Sequence, residues 1–328
     1  MDFRTIIPIS PFENQIKHSH QLMMIGSCFT ESIGERLQQA KFNVDINPFG
    51  IQYNPLSVAS TLERLITKQK FTSNDIFQQG DQWHSFSHHS CFSGNTQDAC
   101  LQTINLRLKQ STANLQQTDY LFITFGTAWV YELTETGQLV SNCHKLPDTH
   151  FTRRRLTVEE IVAKYKELIE QLNAQQPTLK IVFTVSPIRH WKDGAHDNNI
   201  SKSILLLAID TLQQEFDNVS YFPSYELIMD DLRDYRFYAE DMLHPNSTAI
   251  DYIWGRFSDC YFSAETKNMA NEMEKLSRAL THRPFNAEGE EYKKFCEQQL
   301  NKIKHYEEAY PEIDFEEEKQ KIKLINEK

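Results

Sequence analysis

The first clear pattern begins at Gln21. Residues 21–26, QLMMIG, contain no charged position and read as a short strand buried on both faces. Residues 29–40, FTESIGERLQQA, bring Phe29, Ile33 and Leu37 onto one helical face. The alternation then repeats. FNVDIN (42–47) reads as a second strand, and PFGIQYNP as a turn-like segment leading to a helix over 56–67. Residues 72–95 carry no period. They are rich in aromatic residues, His and Ser, and read as irregular. A helix fits 96–115, a central strand 120–126 (YLFITFG), a helix 158–172, a third buried strand 180–187 (KIVFTVSP) and a helix 201–216. VSYFPSYEL (219–227) supplies one more strand, and a last helix opens after Pro245 and runs to Phe262.

Apolar strands separated by amphipathic helices predict an α/β fold, with a parallel sheet covered on both faces. Such sheets bind ligands beyond the carboxyl ends of their strands. Past residue 266 the strands vanish, and the chain reads as charged helix (NEMEKLSRAL, EEYKKFCEQQLNKIKHYEEAY). The expected organisation is an α/β domain over 1–265 and a charged helical extension over 266–328, packed on the core or on a partner.

Composition narrows the function. The chain has 328 residues, 40% hydrophobic, with a net charge of −11. That charge argues against nucleic acid and anionic membrane surfaces as partners, since both call for a basic surface. No apolar run nears the ~20 residues that span a bilayer. The N-terminus lacks a basic start, and Pro8 and Pro11 interrupt its apolar stretch, so no signal peptide is read and the expected location is cytoplasmic. Cys28, Cys91, Cys100, Cys143, Cys260 and Cys296 show no metal-ligand spacing and are expected as free thiols. Neither cofactor nor metal is expected. His84 and His88 would share a metal only on a helix, and their Ser- and aromatic-rich setting reads instead as a loop over the active site. Oligomeric state is not legible.

Two constellations carry chemistry. In Gly26-Ser27-Cys28 a strand ends, turns and starts a helix. A side chain there meets free helix N–H groups, which lower a thiol's pKa and can hold an oxyanion. Either Ser27 or Cys28 can be the nucleophile, and a structural role, with Ser27 as helix cap and Cys28 as a small buried apolar group, is the competing reading. Far downstream, Asp241-Met242-Leu243-His244 leads through Pro245 into the last helix of the α/β region. An Asp three residues before a His can fix its tautomer and leave the other ring nitrogen for a nucleophile. Arg189 and His190, in SPIRHWKDG after a strand, lie at the same edge, and Arg189 suits an anionic substrate group. Arg153-Arg154-Arg155 reads as a solvated turn.

The words GSCF, FGTAW, SPIRHW and DMLHP together resemble the GSCFA branch of the SGNH/GDSL hydrolase superfamily, over roughly residues 20–262. The resemblance implies a flavodoxin-like three-layer α/β/α sandwich and an esterase or acyltransferase acting on an O-acylated small molecule or carbohydrate. Aligning Gly26 with the Gly of the superfamily's G-D-S-L word puts Ser27 on the Asp and Cys28 on the nucleophile. Asp241 and His244 match its D-x-x-H word. The oxyanion hole would use the Cys28 N–H, Gly50 in NPFG, and the Gly126-Thr127 turn. Here Ala128 replaces the superfamily's Asn donor, a loss of about 3 kcal/mol of transition-state stabilisation. Two other readings stay open: a non-catalytic binding module on a degenerate site, and a papain-like peptidase suggested by I-G-S-C-F. The strand before Cys28 and the α/β order downstream speak against the peptidase.

Overall fold

A computed structural model describes residues 4–281 and 289–326. Five strands form one parallel sheet: β1 (Gln21–Gly26), β2 (Asn43–Ile46), β3 (Thr118–Phe125), β4 (Lys180–Val185) and β5 (Val219–Tyr221). Their order is β5-β4-β3-β1-β2. Chain order reverses between β1 and β3, so the crevice at their carboxyl ends is the place such a fold offers a ligand.

Among the described residues the main helices are α1 (Cys28–Gln39), α2 (Pro55–Thr67), α3 (Gln97–Leu115), α4 (Val158–Gln175), α5 (Gly194–Glu215), α6 (Ser247–Tyr261), α7 (Ala264–Thr281), α8 (Glu290–Ala309) and α9 (Glu316–Asn326). Alternate strand residues feed two cores, as the two-residue period of a strand requires. Met23, Ile25, Leu121 and Ile123 pack with α2, α3, α4 and α5. Leu22, Met24, Tyr120 and Phe122 pack with α1 and α6. The result is the expected three-layer α/β/α sandwich.

The extension expected over 266–328 contributes a third core, with Met269, Met273 and Leu276 against Cys296, Ile303 and Phe315. It is joined to the sandwich by Lys41 on Glu318 (2.8 Å) and by the Trp254 indole donating to Glu274 (2.7 Å). Its positions 282–288 and 327–328 lie outside the described residues. Among the described residues no helix is long and apolar enough to cross a membrane.

Three local expectations are corrected. The strand expected over 219–227 stops at Tyr221, and a short helical turn occupies Ser224–Glu226. The helix expected over 201–216 starts at Gly194. Arg153-Arg154-Arg155 is no turn. It belongs to a strand, Phe151–Arg155, in a small antiparallel sheet with Trp129–Leu133 and Leu139–Val140. The strand form is held by partners distant in sequence: Arg153 pairs with Asp193 and lies over the Trp129 ring, Arg154 bridges Glu132 and Glu160, and Arg155 reaches Asp197.

Candidate active site

The turn after β1 is fixed from several sides. Gly26 has φ +147°, and a Cβ there would lie 2.2 Å from the Thr124 carbonyl oxygen, so only glycine fits. Its N–H donates to the Asn47 side chain (2.9 Å), and its carbonyl accepts from Gln52 N–H (2.9 Å). Ser27 N–H donates to Thr124 O (3.3 Å), tying the turn to β3.

Ser27 and Cys28 occupy different environments. Ser27 holds the N-cap position of α1, yet its hydroxyl makes no cap bond and has no hydrogen-bond partner at 1% exposure. Cys28 is the first helical residue and is partly exposed. Burial pushes its thiol pKa up; against this act the backbone N–H groups of Cys28 and Phe29, and the charge of Lys202. The first N–H groups of a helix have no partner within it, so these two face the sulfur.

The backbone donors expected at Gly50, Gly126 and Thr127 are otherwise engaged. Gly50 N–H donates to Asn47 O (2.8 Å). Gly126 and Thr127 N–H both donate to Tyr53 O (2.7 and 2.9 Å). The Thr127 hydroxyl is tied to Ser201 Oγ (3.1 Å). Tertiary contacts with the segment before α2 and with α5 take up these donors. Ala128, where the sequence resemblance expects the superfamily's Asn, is fully buried.

Asp241 and His244 form the unit their spacing predicts. His244 Nδ1 meets Asp241 Oδ2 at 2.6 Å, while Oδ1 accepts the backbone N–H groups of Leu243 (2.9 Å) and His244 (3.0 Å). The His244 and Leu243 N–H groups, with the imidazole, hold the Asp241 carboxyl down to about 2. Both side chains are about half exposed. The loop ends on Asn246, whose side chain caps α6 through Ala249 N–H (3.1 Å). Among the described residues no hydrogen bond joins His244 to Cys28 or Ser27.

The loop after β4 meets this edge. Arg189 and Trp191 line a cleft of about 350 Å³ with Tyr235, Tyr238, Met242 and Leu243. Arg189 reaches Asn199 and the Met229 sulfur (both 3.4 Å), and among the described residues no carboxylate pairs with it. The His190 ring stands edge-on to Tyr53 at 5.6 Å. Burial, then the Lys202 and Arg153 charges and His244, pull its pKa down to about 4, Asp193 opposing. The histidine-rich segment packs over the Gly50 turn: His89 N–H donates to Phe49 O (2.8 Å), and His88 lies against the Phe49 and Phe71 rings. His84 sits on a short strand and bonds Ser93 (2.7 Å), and His88 bonds Ser85 (3.0 Å), so the two do not share a helix face.

Sequence reasoning misses Lys202. Its side chain is fully buried, and Nζ donates to Gly126 O (2.6 Å) and Ser186 O (2.7 Å), the carbonyls just beyond β3 and β4. A signal is present all the same. Lys202 falls on the buried stripe of α5 with Asn198, Leu205, Ile209 and Leu212. A charge on an apolar stripe is the anomaly that points to it.

The family model "GSCFA family" matches residues 21–257, and "GSCFA domain protein, C-terminal domain" matches 273–326. The chain belongs to the GSCFA family. No curated protein matches it. Among solved structures, this GSCFA protein is similar to a carbohydrate esterase family 3 protein from Talaromyces cellulolyticus, at 10% identity, TM-score 0.35, covering 79% of this chain and 98% of that one. An acetyl xylan esterase from Butyrivibrio proteoclasticus matches at 11% identity and TM-score 0.38, over 76% of this chain and 65% of that one. At these scores neither likeness carries an argument about the chemistry of this chain.

Proposed function

We propose that this GSCFA protein is an acyl-transfer enzyme, a hydrolase or acyltransferase acting on an O-acylated small molecule or carbohydrate. The observation that carries the reading is the Asp241–His244 pair on the same sheet edge as a cysteine at a helix N-terminus. Cys28 is the nucleophile. The buried, unpartnered Ser27 hydroxyl supports that choice, because a group closed off from solvent has no path to a substrate. Asp241 holds His244 with Nδ1–H toward its carboxylate, leaving Nε2 to take the thiol proton and return it to the leaving alkoxide. Thiolate attack forms the C–S bond and moves a carbonyl electron pair onto oxygen. The Cys28 and Phe29 N–H groups receive that oxyanion, while Gly50, Gly126 and Thr127 shape the wall. Return of the electron pair breaks the ester C–O bond and expels the alkoxide, leaving an acyl-thioenzyme. Water or an acceptor hydroxyl then cleaves the thioester, its proton passing to His244. The leaving group lies in the cleft beside Arg189 and His190, and the guanidinium suits a carboxylate or phosphate on it. Catalytic hydrogen bonds are commonly open in a site without substrate, so the missing His244–Cys28 bond is compatible with this order of events. The six free thiols support a reducing, cytoplasmic setting.

The test is intact mass after incubation with a small activated ester and, separately, a thioester. Wild type is compared with Cys28→Ala, Ser27→Ala and His244→Ala. An acyl adduct absent only from the Cys28 and His244 variants is expected. An adduct that disappears with Ser27 instead reassigns the nucleophile. No adduct from either donor favours the binding module, for which buried Ala128 and the absent His244–Cys28 hydrogen bond would then be the reasons.

A further inference from the structure

Lys202 places a charge where the fold supplies no carboxylate to meet it. Its surroundings are the ends of β3 and β4, and its two hydrogen bonds go to neutral carbonyls. Among the described residues no carboxylate lies within ion-pair distance of Nζ. A buried ammonium without a counter-ion is costly, and an ammonium carries three donors, of which two are used here. The peptide it holds belongs to the nucleophile's wall. Gly126 C=O accepts from Lys202, Gly126 N–H donates to Tyr53 O, and Thr124, two residues back, accepts from Ser27 N–H.

The charged and titratable groups facing Lys202 come from three directions. Cys28 faces it from α1, Arg189 and His190 from the loop after β4, and the Tyr225 ring from beyond β5, 5.9 Å from Nζ. Burial lowers the Lys202 pKa to about 7; Arg189 lowers it too, and Cys28 raises it. The relation is reciprocal, since Lys202 favours the Cys28 thiolate, while Glu31 on α1 opposes it. Among the described residues no hydrogen bond joins Nζ to Sγ, so the two act on each other through space.

We propose that Lys202 is a positioning residue for Cys28: its buried ammonium, tied to the Gly126 and Ser186 carbonyls, is the counter-charge of the Cys28 thiolate and of the oxyanion its attack creates. Lys202 acts in its charged form, which the Cys28 thiolate favours, and gives up no proton in this step. The thiol proton leaves by another route, and the charge moves from sulfur to carbonyl oxygen within the field of Lys202. A fixed cation at this place compensates for the donor lost at Ala128. The inference rests on Cys28 as the reacting group.

The test reads the thiol directly and needs no acyl substrate. Iodoacetamide labelling of Cys28 is tracked by peptide mass spectrometry from roughly pH 5.5 to 10 in wild type, Lys202→Met and Lys202→Arg, with exposed Cys91 as internal control. Lys202→Met is expected to raise the apparent Cys28 midpoint and to slow labelling roughly 10- to 100-fold near pH 7, where Lys202 still carries charge in the wild type. Lys202→Arg keeps the charge and should stay near wild type, and the Cys91 midpoint should not move. An unchanged Cys28 midpoint in folded Lys202→Met overturns the proposal and leaves Lys202 a stitch between strand ends. Should Lys202→Met fail to fold, the reciprocal measurement decides: the Lys202 midpoint, tracked by NMR of its side chain, must fall in Cys28→Ser, and an equal midpoint rejects the coupling. A midpoint shift without any acyl adduct would keep the Lys202–Cys28 couple and reject the acyl-transfer reading.

Discussion

The two halves of the candidate site are built on different principles. Gly26 and Ser27 are buried, Cys28 partly so, and the turn is tied to Asn47 just past β2, to β3 and to the segment before α2. The Asp241–His244 loop is half exposed and is held largely by its own short-range bonds, two of them from backbone N–H groups to one Asp241 oxygen. A nucleophile that must sit against helix N–H groups gains from a rigid frame. An acid–base pair that must meet both the nucleophile and a leaving group gains from freedom to adjust. Substitutions in the first half should therefore cost stability, and those in the second should cost chemistry.

The largest effect is expected at Gly26. Gly26→Ala drives a Cβ into the Thr124 carbonyl at a dihedral that side chains rarely adopt. Strain of that kind, added to the clash, should remove at least about 4 kcal/mol. Urea denaturation measures it, and a loss below about 1 kcal/mol would show that the turn gives way cheaply, erasing the contrast between the halves.

The histidine segment over the same half should make it acid-sensitive. His88 is buried against Phe49 and Phe71, and burial first, then Arg64 and His144, lowers its pKa to about 3. Below the ordinary histidine range the unfolded chain binds a proton that the folded chain refuses. Stability therefore falls as pH drops from about 6.5 toward 3, by roughly 4 kcal/mol for this one group. His88→Phe should lack that limb. Parallel stability–pH curves for the two proteins would mean His88 accepts its proton in the folded state.

For the second half the expected loss is kinetic. Asp241→Asn removes the charge that orients His244 and should slow acylation of Cys28 roughly 100-fold or more. The pair is exposed and screened by solvent, so the stability change should be small beside the kinetic loss. A stability loss larger than the activity loss would mark the loop as structural.

Legibility in the sequence divides along the same line. Strands β1, β3 and β4 are legible because both their faces are buried, which leaves unbroken apolar runs. The D-x-x-H unit is legible because its bonds are local. What escapes the sequence is long-range. The strand form of Arg153–Arg155 depends on Trp129 and Asp193 partners that no local window contains. The engagement of Gly126 and Thr127 N–H depends on the Tyr53 carbonyl. Lys202 is the intermediate case: its helical register is legible, while its carbonyl partners require the sheet.

The smallest prediction reverses the sign of the first. Met242, inside the Asp241–His244 loop, has φ +58° and is 53% exposed. A non-glycine residue in the left-handed region costs roughly 1 kcal/mol, while glycine carries an unfolded-state entropy cost of about 0.4–1 kcal/mol. Met242→Gly should therefore leave stability nearly unchanged or raise it by about 0.5 kcal/mol. The side chain also lines the cleft beside Arg189, so the same substitution should raise KM more than it lowers kcat. If Met242→Gly instead loses more than about 1 kcal/mol, the thioether packs the loop in place. The second half would then be as firmly framed as the first, and a His244–Cys28 hydrogen bond would have to form without help from movement of the loop.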